Sequence, residues 1–378
     1  MERALPARQH GVFHATEISL LMPTRTTVFL PAEDHLSLLH GSLQLPAVTI
    51  NGYSLELQDG RGFLGDSVSR VAFTHMLDTW RKLFRELDGK DPLGALATPD
   101  ISRDRLDELL DRKGLAAATI NAAAEDYAWQ LARVVRRFLR QPSWRGVGRI
   151  VVGGGFQQSE LGRRAVKRAA ALLAEQGVKV QLRTLHHHSD EGGLIGWVHL
   201  APPELLSRYN ALLAVDIGGT NVRCGIVRTR LKKAPDFSKA DVIGRRKWAH
   251  AEDDDDIRRE DLVQGIADML QTLINKARKK GLALAPFVGV ACPGMIREDG
   301  SIADGTQNLP GNWESSHFHL PHHLCERLPR IDGQETQVRL HNDAVVQGLS
   351  ELPFTRDIKR WAVLTIGTGL GNASYTNH

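Results

Sequence analysis

Cysteine is nearly missing from this chain: Cys224, Cys292 and Cys325 are the only three in 378 residues, they lie far apart, and no two form a CxxC pair. That excludes a disulfide framework and a cysteine-built zinc site, and it fits a reducing compartment. Long apolar runs are missing too. No stretch approaches the roughly 18 apolar residues of a membrane span, and Glu2, Arg3 and Arg8 open the chain without an apolar segment behind them. The expectation is a soluble, cytoplasmic protein with no membrane partner. Nor is one sign of charge in excess: 48 Lys and Arg stand against 44 Asp and Glu, for a net +4, spread along the chain. Nucleic acid is therefore not the expected partner. What is present, 42% hydrophobic and 24% charged residues, suits one large or two moderate folded domains around a cleft.

The first thirty residues mix proline, threonine and charge with short β-prone runs, and read as loosely packed strands and loops. From Arg103 to Leu139 apolar residues recur at spacings of three and four, which predicts scaffold helices. Arg149 to Val152 is a β-branched strand running into Gly153-Gly154-Gly155, and a helix over Ser159 to Gln176 is closed by Gly177. Val178 to Leu182 reads as another strand, and Gly192 to Gly196 opens a small-residue helix before Pro202-Pro203 breaks the chain.

A new pattern begins at Leu212. The strand Leu212–Val215, the turn Asp216-Ile-Gly-Gly-Thr220 and the strand Val222–Thr229 are followed by a helix over Asp261–Lys279 and apolar strands at Phe287–Ala291 and Val338–His341. Trp361–Ile366, Gly367-Thr-Gly-Leu-Gly371 and Asn372–Tyr375 then repeat the strand, glycine turn, strand form.

Glycine accepts positive φ and lets an anion approach the backbone, so a turn of Gly and Thr between strands can aim several N–H groups at a phosphate. Two such turns, each with a threonine hydroxyl at Thr220 or Thr368, can clamp a polyphosphate. Neither the G-x-x-x-x-G-K-[ST] pattern nor a G-x-G-x-x-G opening a helix occurs, which excludes a P-loop and a Rossmann site. Asp216 ends an apolar strand just before the first turn. A carboxylate there costs desolvation unless a cation neutralises it; Mg²⁺ carried by a nucleotide, bound directly or through water, would do so, and a turn-capping role is the plainer reading. Asp343 follows a strand and precedes a helix. Alone it reads as an N-cap; beside two phosphate turns it reads as a carboxylate that orients a hydroxyl and takes its proton.

Leu213-Ala-Val-Asp-Ile-Gly-Gly-Thr-Asn-Val-Arg223 resembles the first phosphate motif of the sugar kinases in the hexokinase and actin-like ATPase superfamily. Val290-Ala-Cys-Pro-Gly294, Asn308-Leu-Pro-Gly311, His341-Asn-Asp343 and Leu364-Thr-Ile-Gly-Thr-Gly-Leu-Gly371 follow in the order of its ROK branch, the glucokinase-like sugar kinases. The resemblance covers roughly residues 211–376. It implies an α/β protein with the two-lobed actin-like ATPase (ribonuclease H-like) fold, mixed sheets, and ATP- and Mg²⁺-dependent phosphorylation of a hexose or hexose-derivative hydroxyl. Asp343 would be the general base, with Asn342 and Asn308 on the sugar. Asp216 would face Mg²⁺, and Gly218, Gly219, Thr220, Gly367, Thr368 and Gly369 would hold the ATP phosphates. The implied partner is a small sugar, and a homodimer is among the implied assemblies. A regulatory protein that binds sugar or nucleotide on the same fold with weakened catalysis is the alternative.

The order of the motifs departs from the family. Ile150-Val-Val-Gly-Gly-Gly155 resembles the adenosine-side motif, placing Gly154 and Gly155 there, and Asp190-Glu-Gly-Gly-Leu-Ile-Gly196 resembles the last helix, yet both precede the first phosphate motif. This implies a circular permutation, with the usual ends joined through about 201–211 and new ends opened after the second phosphate hairpin. One lobe would comprise residues 1–205 with 346–378, the other 211–345. An unrelated fused domain over 1–210 is the rival. The family's Glu-x-x-His loop and cysteine-rich zinc loop lack full counterparts. Glu33-Asp-His35 has the wrong spacing and Gly60 to Ser69 has no cysteine, so no structural zinc is expected, and Glu33, His35 and Asp66 are weak sugar-side candidates. His186-His187-His188 reads as a polar loop, the acidic run Asp253–Asp256 as a solvated helix start, and Cys292 as a buried small residue.

Overall fold

The two glycine turns seed two sheets. In the computed structural model, which describes residues 39–60, 62–253 and 257–378, eleven strands make up these sheets: β1 Gln44–Leu45, β2 Val48–Tyr53, β3 Arg149–Gly153, β4 Gln181–Thr184, β5 Ala211–Ile217, β6 Val222–Arg228, β7 Asp241–Trp248, β8 Leu284–Cys292, β9 Gln337–Asn342, β10 Arg360–Ile366 and β11 Leu370–Asn377. One sheet runs β1-β2-β11-β10-β3-β4 and the other β9-β8-β5-β6-β7. All described residues belong to one body, His35–His378.

The sheets share a plan. In the five-stranded sheet, β5 and β6 form an antiparallel hairpin, β7 adds antiparallel to β6, and β8 and β9 lie parallel on the far side of β5. In the six-stranded sheet, β10 and β11 form the hairpin, β2 adds antiparallel to β11, and β3 and β4 lie parallel beyond β10. The first set follows chain order; in the second, the hairpin comes last in the chain.

Seven helices matter to the site: α1 Arg70–Asp88, α2 Arg103–Leu110, α3 Leu115–Phe138, α4 Glu160–Glu175, α5 Ser189–Ile195, α6 Arg259–Lys279 and α7 Asp343–Leu349. Their ends carry chemical stops. The Ser159 hydroxyl accepts the Gly162 N–H at 3.0 Å, and the Asp107 carboxylate accepts the Glu160 and Leu161 N–H groups, so the orphan donors of α4 are satisfied. Ser69 caps α1 through the Ala72 N–H, and Gly89 at φ +69° ends it.

Period-two alternation decides what each strand face buries. Leu213, Val215 and Ile217 pack with α6, whereas Leu212 and Ala214 face a cluster holding α5, α7 and the inner faces of both sheets. That shared layer fixes α7 precisely enough to aim its first residue: the Tyr375 hydroxyl of β11 donates to the Val345 carbonyl at 2.9 Å, and a Cβ at Gly348 would overlap the Tyr375 ring.

Several expectations shift. The strand expected over 178–182 lies at Gln181–Thr184. The α1 helix, β2 and β7 had no counterpart in the sequence reading. The first thirty residues, Glu33, His35 and Asp254–Asp256 lie outside the described residues.

Candidate functional site

Parallel strands β5, β8 and β9 end side by side, with Ala291 of β8 paired to Asp216 on one flank and to His341 on the other. Strands β3 and β10 end the same way in the other sheet, Gly153 beside Thr365. Crevices at the carboxyl ends of parallel strands are where open α/β sheets place their ligands. Here both sets of ends border one cavity of about 1770 Å³, whose walls include Asp216, Asp343, Asn308, Thr220, Thr368 and Gly155. Its volume exceeds the roughly 300–1,000 Å³ of a site for one small molecule, leaving room for more than one.

The two hairpin tips meet across this cavity. Thr220 and Thr368, 148 residues apart, share a hydrogen bond at 3.0 Å between their hydroxyls. Backbone donors separate into two roles. The Gly218 N–H closes its own turn on the Asn221 carbonyl at 2.9 Å and the Gly367 N–H does so on Gly369 at 3.0 Å. Those two N–H groups shape the turns. The N–H groups of Gly219, Thr220, Thr368 and Gly369 take no partner among the described residues, so they are the donors left for an anion. Gly219 lies against Asn308, where a Cβ would come within 2.9 Å of the asparagine Cβ, while Gly367 and Gly369 look onto open space.

Asp343 is the first residue of α7, and its Oδ1 accepts the Ala344 N–H at 2.8 Å. Burial, reinforced by the negative charge of Asp216, raises its carboxyl to about 6. The cap of α7 is Asn342, not Asp343. Asn342 is 1% exposed; its carbonyl accepts the Val345 N–H, and its amide donates to the Gly294 carbonyl at 3.1 Å and the Ser54 hydroxyl at 3.0 Å. These contacts let Asn342 tie α7 to its neighbours, and Asn342 also lines the cavity beside Asp343.

Asp216 also has a cationic partner within the protein that the sequence reading did not name. The β5–β6 register sets Arg223 opposite it, with Nη1 donating to Asp216 at 3.3 Å and Nε to Asp190 of α5 at 2.5 Å. Burial still leaves the Asp216 carboxyl raised despite this cation. Burial would raise Asp190 as well, but Arg223 and Lys247 hold it below the usual carboxylate range. The helix bearing Asp190 approaches closely enough that a Cβ at Gly193 would lie 2.8 Å from the Asp216 carboxyl carbon.

On the far side, Gly154 has φ +87° and a Cβ there would overlap the Ile366 carbonyl, so this glycine turn packs directly on the end of β10. Arg103 donates to the Gly155 carbonyl at 2.8 Å, and Ile101, Leu106 and Phe156 line the cavity beyond it. Asp66 also lines the cavity.

The remaining candidates have local duties. His186 stacks on Phe354 with ring centres 3.9 Å apart, and His188 caps α5 through the Asp190 N–H. Cys292 is buried at the end of β8, and burial raises its thiol far above the normal range, which leaves it unreactive. Among the described residues, no group of three or more His, Cys, Asp or Glu could hold a metal ion, and no helix is long and apolar enough to cross a membrane. Arg223, Arg103 and Ser54 were missed by the sequence reading. For Arg223 a signal existed, since a tight turn centred on Gly219 and Thr220 sets residue 223 across from 216.

Known proteins resemble part of the chain. A glucokinase of Thermotoga maritima is 27% identical over 168 residues, which is 44% of this chain and 44% of that protein; the chain thus spans less than half the length of this curated relative. Among solved structures, a ROK hexokinase from Thermus thermophilus matches 43% of the chain and 45% of its own at 18% identity and a TM-score of 0.28. An exopolyphosphatase from Cytophaga hutchinsonii matches 45% and 51% at 14% identity and a TM-score of 0.26. The model of the ROK family matches residues 212–378, which hold both glycine hairpins and the Asn342-Asp343 pair.

Proposed function

We propose that this protein transfers the terminal phosphoryl group of ATP to a hydroxyl of a hexose or hexose derivative, with Asp343 as the general base. The observation that carries this reading is a convergence: the raised Asp343 carboxyl and the unpartnered N–H groups of both hairpins border a single cavity. Phosphoryl transfer needs little covalent help; it needs the two oxygens in line, charge neutralised, and a base on the acceptor. Gly219, Thr220, Thr368 and Gly369 would bind the phosphate chain, Gly154 and Gly155 would border the nucleoside, and Asn308 and Asp343 would orient the sugar.

The donor set fits a magnesium nucleotide. Mg²⁺ favours one or two carboxylates plus phosphate oxygens over a closed protein cage, and Asp216 supplies such a carboxylate beside the first hairpin. When bound, the ion would neutralise charge on the transferring group. Arg223 keeps Asp216 paired and oriented, and Asp343 receives the hydroxyl proton.

The lobes of this reading are residues up to 205 with 346–378, and residues 211–345, in a circularly permuted order. The shared plan of the two sheets supports that order: reading β10, β11, β2, β3, β4 reproduces the sequence β5, β6, β7, β8, β9.

A coupled ADP-release assay over a panel of hexoses, hexosamines and N-acetylhexosamines tests the reaction. Sugar-dependent release that falls by about 10²–10⁴ in Asp343→Asn, with nucleotide affinity kept, is the expected result; release independent of sugar, or unaffected by the substitution, rejects it.

A further inference from the structure

Residues 39–45 cross from one sheet to the other behind the acceptor side of the cavity. At one end, Gln44 and Leu45 pair with β2. At the other, the segment lies along the free edge of β9: the Gly41 N–H donates to the Leu340 carbonyl at 3.0 Å, and the Leu340 N–H donates to His40 Nδ1 at 3.0 Å. His40 therefore reproduces with its ring the acceptor that an edge strand would supply with its backbone. One residue on, His341 repeats the device, accepting the Asn342 N–H at Nδ1 and donating from Nε2 to the Ser42 carbonyl. Asp343 follows directly.

The same segment supports the hairpin 293–305, whose Gly294, Met295 and Asp304 face the cavity. Gly41 sits at φ +61° with its Cα against Ile296, so that a Cβ would lie 2.5 Å from the Ile296 carbonyl oxygen. Gly300, at φ +85°, faces the His40 ring, with 2.9 Å between an added Cβ and Cε1. From the β2 side, Tyr53 accepts the Ile296 N–H at 3.3 Å, and Asn342 closes the circle through the Gly294 carbonyl. Among the described residues, none of these groups hydrogen-bonds to the glycine hairpins.

We propose that His40 and Gly41 are positioning residues for the acceptor: they fix the hairpin 293–305 against the end of β9, and so set the distance between the acceptor and Asp343 without contributing to nucleotide binding. The inference rests on the kinase reading for its kinetic consequence, but its structural part stands alone. His40→Ala deletes the ring acceptor and leaves the Leu340 N–H buried without a partner; His40→Asn returns an oxygen near the Nδ1 position; Gly41→Ala forces the segment away from Ile296.

The test combines amide hydrogen exchange on the full chain with steady-state kinetics and ATP titration. In His40→Ala and Gly41→Ala, amides at 294–304 and 340–342 are expected to exchange faster, with those of 217–222 and 366–371 unchanged. The acceptor KM should rise on the order of tenfold, the scale of one unmade buried hydrogen bond, while the ATP Kd stays within about twofold, and His40→Asn should restore most of the loss. Unchanged exchange at 294–304, or equal losses for acceptor and ATP, overturns the proposal. If the unsubstituted chain phosphorylates none of the panel, the kinase reading fails, and the exchange pattern alone decides whether these residues position the hairpin.

Discussion

Burial and the charge of Asp216 together raise the Asp343 carboxyl to about 6, which sets chemistry and stability against each other. A general base works only when ionised, so kcat/KM should fall as pH drops through about 6. The stability sign is opposite. A carboxyl whose folded value lies above its unfolded one binds a proton more tightly when folded; its contribution is complete below about 4 and lost as pH rises through about 6, amounting to roughly 2–3 kcal/mol. Asp343→Asn should therefore unfold in urea at nearly the same concentration as the unsubstituted chain at pH 4, and be more stable at pH 8, while losing turnover. A variant equally stable or weaker at pH 8 would show that the site does not strain this carboxylate. Arg223 bears the opposite burden. Removing it in Arg223→Gln leaves Asp216 without a cation and Asp190 with Lys247 alone, and a loss on the order of 3 kcal/mol in urea unfolding is expected.

At the scale of elements, the glycine turns separate folding from binding. Gly154→Ala must place a Cβ at φ +87° into the Ile366 carbonyl, and at least about 2 kcal/mol of stability should go, visible as a lowered urea midpoint. Gly367→Ala meets nothing within 4 Å and needs no positive φ; its midpoint should hold, while its methyl group intrudes on the space left for a phosphate and ATP affinity drops. Equal midpoints for the two would refute this division. These turns were legible in the sequence because glycines between two β-prone runs mark a hairpin. The β7 strand was not, since Gly244-Arg-Arg-Lys247 has no apolar alternation and becomes a strand only by pairing with β6 along an edge. The division of turn donors was equally hidden: which N–H groups remain free depends on register, and composition does not specify register. The contacts of Asn342 were hidden for a related reason, because the partners of its amide, Gly294 and Ser54, lie 48 and 288 residues away.

For the whole molecule, the question is whether the two sheets are the same unit entered at different points of the chain. The end of β11 already lies beside the start of β2, with the His378 N–H donating to the Ala47 carbonyl at 3.1 Å and its ring bonded to Thr49. A hairpin there would connect the strands that match β6 and β7 of the other sheet. Residues 209–210, which lead into β5, are held by the Asn210 N–H donating to the Ala283 carbonyl. If the order is a circular permutation, a rearranged chain that runs from 211 to 378, through a flexible linker of about eight residues, and on from 39 to 210 retains every strand pairing of both sheets. It should fold cooperatively, with a single urea transition and circular dichroism matching the parent, and it should bind ATP with similar affinity because both glycine hairpins are uncut. A fused, independent front portion predicts otherwise: residues 211–378 expressed alone would fold and bind ATP unaided. The six-stranded sheet argues against that outcome, since β10 and β11 would then lose β3 and β2 on their two flanks and expose the buried faces of Trp361, Val363 and Tyr375.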